Sequence, residues 1–251
     1  MNPSTKFEYV LQQADNSLIL GQRLAEWCGH GPVLEQDIAM TNISLDLIGQ
    51  ARLLYQYAAE LQGEGRSEDD LAYLRDAWDF RNVLLVEQPN GDFAQTILRQ
   101  FLYDTFSSLF YESLMQSSDE RLSSIAAKSH KESLYHVKWS GDWVLRLGDG
   151  TEESHQKMQQ AVDTLWNYKD EIITPSEIDR KALQENWGVD LAEIKSGRED
   201  HIRKVFKEAT LEIPESNYRH TGGKEGRHSE HLGYILADLQ FLQRAYPGLE
   251  W

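Results

Sequence analysis

The chain has 251 residues and carries 41 acidic against 25 basic side chains, a formal net charge of −16. That balance argues against a nucleic-acid partner, which needs a clustered basic surface, and equally against an anionic membrane surface. A single cysteine, Cys28, rules out an internal disulfide and suits the reducing cytoplasm. No apolar run reaches the length of a membrane span, and the opening MNPSTKFEYV lacks the basic and apolar regions of a secretory signal.

Six prolines, Pro3, Pro32, Pro89, Pro175, Pro214 and Pro247, fall at seams between helical stretches. The spacing predicts a first helix over residues 6–28 with Phe7, Leu11, Ala14, Leu18 and Ala25 on one face, ended at Gly29-His30-Gly31-Pro32. Cys28 is expected to be a small buried residue near that end. A second, longer helix follows over 34–61, with Ile38, Ile43, Ile48, Ala51, Leu54, Tyr55 and Ala58 as its core stripe. After the polar linker QGEGRS, residues 68–86 read as one or two short helices, and 87–91 form a turn that leaves Asp92 to cap the third long helix, 93–116. The fourth opens on a capping box from Ser117 to Glu120 and closes at Gly148, where glycine takes the left-handed conformation. Further helices are predicted over 153–172, 176–186, 190–209 and 229–246, the last with Leu232, Leu236, Leu239 and Leu242 apolar. Four long helices joined as two hairpins by a long crossover make an all-α, ferritin-like four-helix bundle core over about 6–148, with a C-terminal helical extension over about 152–251 in one domain of residues 1–251.

The fourth helix sets a carboxylate and an imidazole in an apolar, aromatic run. Lys128, Glu132 and His136 share a stripe with Ile125, Ser129, Trp139 and Trp143, which fits either metal ligands or a buried ion pair. A di-iron bundle needs one Glu from each of two helices and Glu-x-x-His from each of the others. Against that template the first helix offers Asn16, a neutral amide beside Asp15. The second offers Asp46 with Gly49 where a histidine is needed, and the third offers Asp104. On the fourth, the residue three before His136 is Ser133, and Glu132 is one position too early. Most donors are missing. Asp46, Asp104, Lys128, Glu132 and His136 are therefore expected to form an internal polar network, with no catalytic residue and no metal. A stand-alone metalloenzyme with an atypical carboxylate and histidine site, and a CoA-ester binding module, are the alternatives.

Near the C-terminus, Gly222-Gly223-Lys224 is followed by Glu225 where a phosphate loop requires Ser or Thr, and His220, His228, Glu230 and His231 match no zinc spacing. A basic, glycine-rich loop folding over the bundle end or docking on an acidic surface is expected instead. His30, His130, His155 and His201 are scattered and read as surface or packing residues.

The segment beginning at Asp46 (DLIGQAR), the turn from Val86 (VEQPNG), KESLYH from Lys131, and YRHTGGKEG from Tyr218 with the later His231-Leu232-Gly233 together resemble one family. It is the structural, non-catalytic subunit of the bacterial phenylacetyl-CoA epoxidases, and the resemblance spans nearly the whole chain. It implies a ferritin-like bundle with no cofactor of its own, paired with a homologous catalytic subunit that carries di-iron. Such a complex also has a reductase delivering electrons from NADPH and small accessory subunits, and it converts phenylacetyl-CoA to its ring epoxide with O2. Within it, Asp79, Phe80, Arg81 and Asn82 are candidates for contacts to the CoA ester, because an arginine and an amide beside an aromatic ring suit phosphate and adenine. Arg180, Lys181 and Ala182 are a second candidate spot. Without its partner the chain is expected to form a homo-oligomer or to behave poorly in solution, and to expose more apolar surface than a monomer does.

Overall fold

The computed structural model describes residues 5–249, so Pro3 lies outside the described residues. It is all-helical, with no strand among the described residues. The four long helices are α1 (Thr5–Ala25), α2 (Leu34–Gln62), α5 (Phe93–Leu114) and α6 (Glu120–Gly148). Two short helices, α3 (Glu68–Tyr73) and α4 (Leu84–Glu87), flank a 3-10 turn at Ala77–Asp79 in the crossover. After α6 come α7 (Glu152–Leu165), α8 (Glu177–Gln184), α9 (Leu191–Glu208) and α10 (Glu230–Ala245). The chain divides into two compact units, residues 5–89 with 221–249 and residues 90–220.

In the first unit α1 and α2 pack along their length as an antiparallel hairpin. Gly21 makes the approach possible: a Cβ there would stand 3.2 Å from Ile48 and 3.3 Å from the Ser44 carbonyl. Ser44 Oγ, in turn, donates to the Gly21 carbonyl at 2.8 Å. α1 is buried nearly all round, polar residues included. α2 turns Met40, Ile43, Leu47, Ala51, Leu54 and Ala58 inward. Ile38 and Ile48, expected in that stripe, are 51% and 37% exposed, because Ile38 lies on the opposite side of the helix and Ile48 at the margin of the stripe, beside Gly21. Cys28 is exposed too, on the turn that leaves α1.

The second unit is built on the α5–α6 hairpin, with α7 and α9 packed against it. Its core is aromatic: Phe101 stacks on Phe206 at 6.4 Å, and Phe106 meets Phe110 at 5.0 Å. α6 is capped by Asp119, whose carboxylate accepts from Arg121 and Leu122 N–H, two residues later than the expected Ser117. Ser117 Oγ donates instead to the Trp187 carbonyl at 2.9 Å. Gly148 is the last residue of α6, but not in the left-handed conformation expected of it. Its φ is not positive, yet a Cβ there would meet the Ala209 carbonyl oxygen at 2.6 Å. The helix expected over 153–172 stops at Leu165 and continues as a 3-10 turn. On α10 the inward residues are Leu232, Ile235, Leu236 and Gln240, while Leu242 is exposed.

Candidate functional site

The polar interior of the first unit centres on Asp15, which has no exposed surface. It occupies the same helical phase as Leu11 and Leu18, so α1 carries it into the core with them. Tyr55 of α2 donates to Asp15 Oδ1 at 2.6 Å, the Arg81 N–H donates to Oδ2 at 2.8 Å, and Arg75 forms a two-pronged ion pair with both oxygens. Every N–H group of the Arg75 guanidinium has an acceptor: Nε donates to the Leu71 carbonyl, Nη1 to Asp15 and the Asp79 carbonyl, and Nη2 to Asp15 and Tyr55. Phe80 covers the guanidinium face at 4.1 Å. Burial lowers the affinity of Arg75 for its proton, but the Asp15 carboxylate more than offsets this and holds it above its ordinary value. Burial and the Asp15 charge together push the Tyr55 hydroxyl well up, so it stays protonated as a donor.

Next to this pair, Asn16 Oδ1 accepts from the Val83 N–H at 2.8 Å. A third cluster surrounds Glu87 of α4, which is fully buried. Its Oε2 accepts from Asn82 Nδ2 at 2.9 Å and lies 2.8 Å from His228 Nδ1, while its Oε1 accepts from the Ser229 N–H at 2.6 Å. Arg23 of α1 donates to the Glu87 carbonyl at 2.9 Å.

In the second unit Asp104 of α5 accepts from Gln100 at 2.7 Å and from Ser140 of α6 at 2.8 Å. Burial raises its carboxyl to about 6, against the opposing pull of the His136 imidazole and these two donors. Ser129 and Ser133 continue the α6 face inward of His136, and Ser133 contacts Ser107 of α5 at 3.0 Å. Arg198 of α9 is also fully buried, and donates to the Leu102 carbonyl at 3.0 Å.

These placements divide the residues singled out from the sequence. Asp104 and His136 do come together. Lys128 and Glu132, expected in the same network, form their own 4.0 Å pair, and the lysine side chain is 61% exposed. Glu132 falls outside the inward face because Ser129, Ser133, His136 and Ser140 fill it. Asp46 and Gly49 sit at the half-buried margin of α2, and the place of a Gly49 Cβ has nothing within 4 Å. Asp79, Phe80, Arg81 and Asn82 lie in the first unit, where Phe80 and Asn82 are fully buried and serve the Asp15 and Glu87 clusters. Arg81 donates from Nη1 to the Trp78 and Phe80 carbonyls. Arg180 and Lys181 are exposed on α8, and Ala182 is buried. The sequence does not foreshadow Tyr55, Arg75, Glu87 and His228 as partners. Asp15 alone gives a signal, a charge in phase with leucines.

Among the described residues no group of three or more His, Cys, Asp or Glu side chains could hold a metal ion. The donor chemistry does not fit a di-iron centre: Asp15 is neutralised by Arg75, and Asp104 is flanked by an amide and a hydroxyl where carboxylates would be required.

Two long helical hairpins in an all-helical chain, with paired polar side chains at interior helix positions, define a ferritin-like protein. A family model described as phenylacetic acid catabolic protein matches residues 1–251, and the chain belongs to that family. It is 49% identical over 243 residues, 97% of this chain and 98% of the relative, to a protein of Escherichia coli (strain K12) named as a subunit of the 1,2-phenylacetyl-CoA epoxidase.

Two outcomes are expected. Arg75→Met leaves Asp15 buried and uncompensated, and should cost about 3–5 kcal/mol in urea unfolding. The Asp15→Asn, Arg75→Met double variant should lose less than the two single variants summed. For Asp104, a folded-state value of about 6 against an ordinary 3.8 means that stability present below the unfolded value is lost as pH rises through about 6, ~3 kcal/mol in all. Asp104→Asn should therefore flatten the fall in unfolding free energy between about pH 4 and pH 7.

Proposed function

We propose that the chain is the structural, non-catalytic subunit of a multicomponent monooxygenase that epoxidises the aromatic ring of phenylacetyl-CoA during aerobic phenylacetate breakdown. The observation that carries this reading is end-to-end identity with a relative named as a subunit of that epoxidase. The non-catalytic part is supported by the chemistry of the interior, where Arg75 occupies the one fully buried carboxylate of α1. The chemistry then belongs to a homologous catalytic subunit holding di-iron, supplied with electrons from NADPH by a reductase, with small accessory subunits, in the cytoplasm. This chain supports the catalytic subunit.

The surface agrees with life in a complex. α2 leaves Leu34, Ile38, Leu45 and Ile48 exposed along a single face, at spacings that bring them over one another. A stripe of that kind on a helix is an assembly surface rather than a monomer's exterior. No helix among the described residues is long and apolar enough to cross a membrane. Arg180 and Lys181, both exposed, are the groups on this chain proposed to meet the phosphates of the CoA ester.

Reconstitution tests this. The purified chain with reductase, NADPH and phenylacetyl-CoA should give no epoxide and hold far less than one iron per protomer, whereas adding the catalytic subunit should give turnover. In that mixture Arg180→Ala with Lys181→Ala should raise KM for phenylacetyl-CoA severalfold at unchanged kcat. Turnover or stoichiometric iron in the isolated chain would sink the assignment, and an unchanged KM would remove the phosphate contact alone.

A further inference from the structure

The segment after residue 220 returns to the N-terminal hairpin through an unusually close backbone contact. Gly223 lies so near the 82–83 backbone that a Cβ would stand 2.2 Å from the Asn82 carbonyl oxygen. Gly226, at φ +80°, would place one 2.6 Å from the Trp78 carbonyl oxygen. Beyond these glycines the imidazole of His228 is wedged between two oxygens, Glu87 Oε2 at 2.8 Å from Nδ1 and the Phe80 carbonyl at 3.0 Å from Nε2. Neither oxygen can donate if Glu87 is ionised. A neutral imidazole carries one N–H and one lone pair, so either tautomer would turn a lone pair on an oxygen; only the imidazolium donates at both nitrogens. The next residue, Ser229, gives its N–H to the other Glu87 oxygen and begins α10.

We propose that His228 and Glu87 form a protonation-dependent clasp: as imidazolium, His228 pins the 221–229 segment to the 78–87 crossover, and loss of its proton releases that segment locally. Three groups favour the charged imidazole. From α4 comes the Glu87 carboxylate, from the crossover the Phe80 carbonyl, and from α1 the Asp15 charge, itself held by Arg75. Arg23 acts on the Glu87 carbonyl and the Arg81 guanidinium on the Trp78 and Phe80 carbonyls, while Glu225, Arg227, Glu230 and His231 flank His228 on its own segment. Burial by itself would lower the imidazole's affinity for a proton, but the hydrogen bond and charge of Glu87 and the Phe80 carbonyl outweigh it and hold His228 above its ordinary value. The stability that this contact adds is thus complete below about 6.5 and is lost as pH rises through the elevated folded-state value.

Opening stays local because the far end of α10 is tied down separately. Gln240 donates to the Ala72 and Arg75 carbonyls at 3.1 Å, and Arg244 donates to the Arg75 carbonyl at 2.8 Å and pairs with Asp76 at 2.9 Å. Neither anchor contains a histidine.

Hydrogen exchange of the full chain, corrected for the intrinsic pH dependence, tests the clasp. Amides over 221–232 should lose roughly ten- to hundredfold protection between about pH 6 and pH 9, as expected for a charged hydrogen bond, while those over 236–245 keep theirs. His228→Gln should show the low protection at both pH values. Nitrogen-detected NMR of the wild-type imidazole, which needs no variant, should show both ring nitrogens protonated at about pH 6.5. A neutral tautomer there, protection over 221–232 that does not change with pH, or an equal change over 236–245 would each overturn the proposal.

Discussion

The first unit depends on one buried charge. α1 carries Asp15 into the core at a position its helical phase reserves for apolar side chains, and a carboxylate there is tolerable only if it is paired and fully hydrogen-bonded. The guanidinium that pairs with it comes from neither long helix. It comes from Arg75, just after α3 in the crossover, and it is used to its last N–H. The crossover is therefore no passive connection. Its path from Leu71 to Val83 is dictated by the need to bring Arg75, the Arg81 N–H and the Val83 N–H to consecutive residues of α1, Asp15 and Asn16.

That same path explains why Phe80 and Asn82 are interior residues. Phe80 lies over the face of Arg75, and Asn82 reaches Glu87, so each holds the crossover in shape. Glu87 then passes the constraint on to the C-terminal segment through His228 and Ser229. Two linked clusters thus run from α1 to α10: Arg75 satisfies Asp15, and Glu87 joins Asn82 of the crossover to His228 and Ser229 at the start of α10.

The long helices are legible because their apolar residues recur over twenty or more positions and Gly-Pro or polar breaks separate them. Residues 34–61 against the observed Leu34–Gln62 is the clearest case. The facing of individual residues is less legible. A stripe through Ile38 and Ile48 follows from apolar type alone, yet α2 is apolar on two sides, one for α1 and one left exposed. On α6 the discrepancy is a single position: the expected stripe turns Glu132 and Trp139 inward, whereas Ser133 and Ser140 face the core, because small hydroxyls rather than large polar groups fit where α6 meets α5. The partners of the buried charges are not legible at all. Arg75 is 60 residues from Asp15, and His228 is 141 from Glu87. Nothing local in the sequence couples residues so far apart.

The two hairpins solve the same problem with different chemistry. Each sends a carboxylate inward from its first helix, Asp15 from α1 and Asp104 from α5, and each meets it with a hydroxyl from its second, Tyr55 or Ser140. In the first unit a full positive charge completes the arrangement, so the carboxylate is anionic and its neighbours are fixed by strong, directional bonds. In the second the completion is an amide, with an imidazole near by, and burial raises the carboxyl to about 6, so it takes up a proton only a little below neutrality. A carboxylate surrendered to an arginine has no oxygens left for another cation, and one flanked by an amide and a serine has no second carboxylate to share a cation with. The two arrangements differ in charge, and both commit an inward-facing carboxylate to holding helices together.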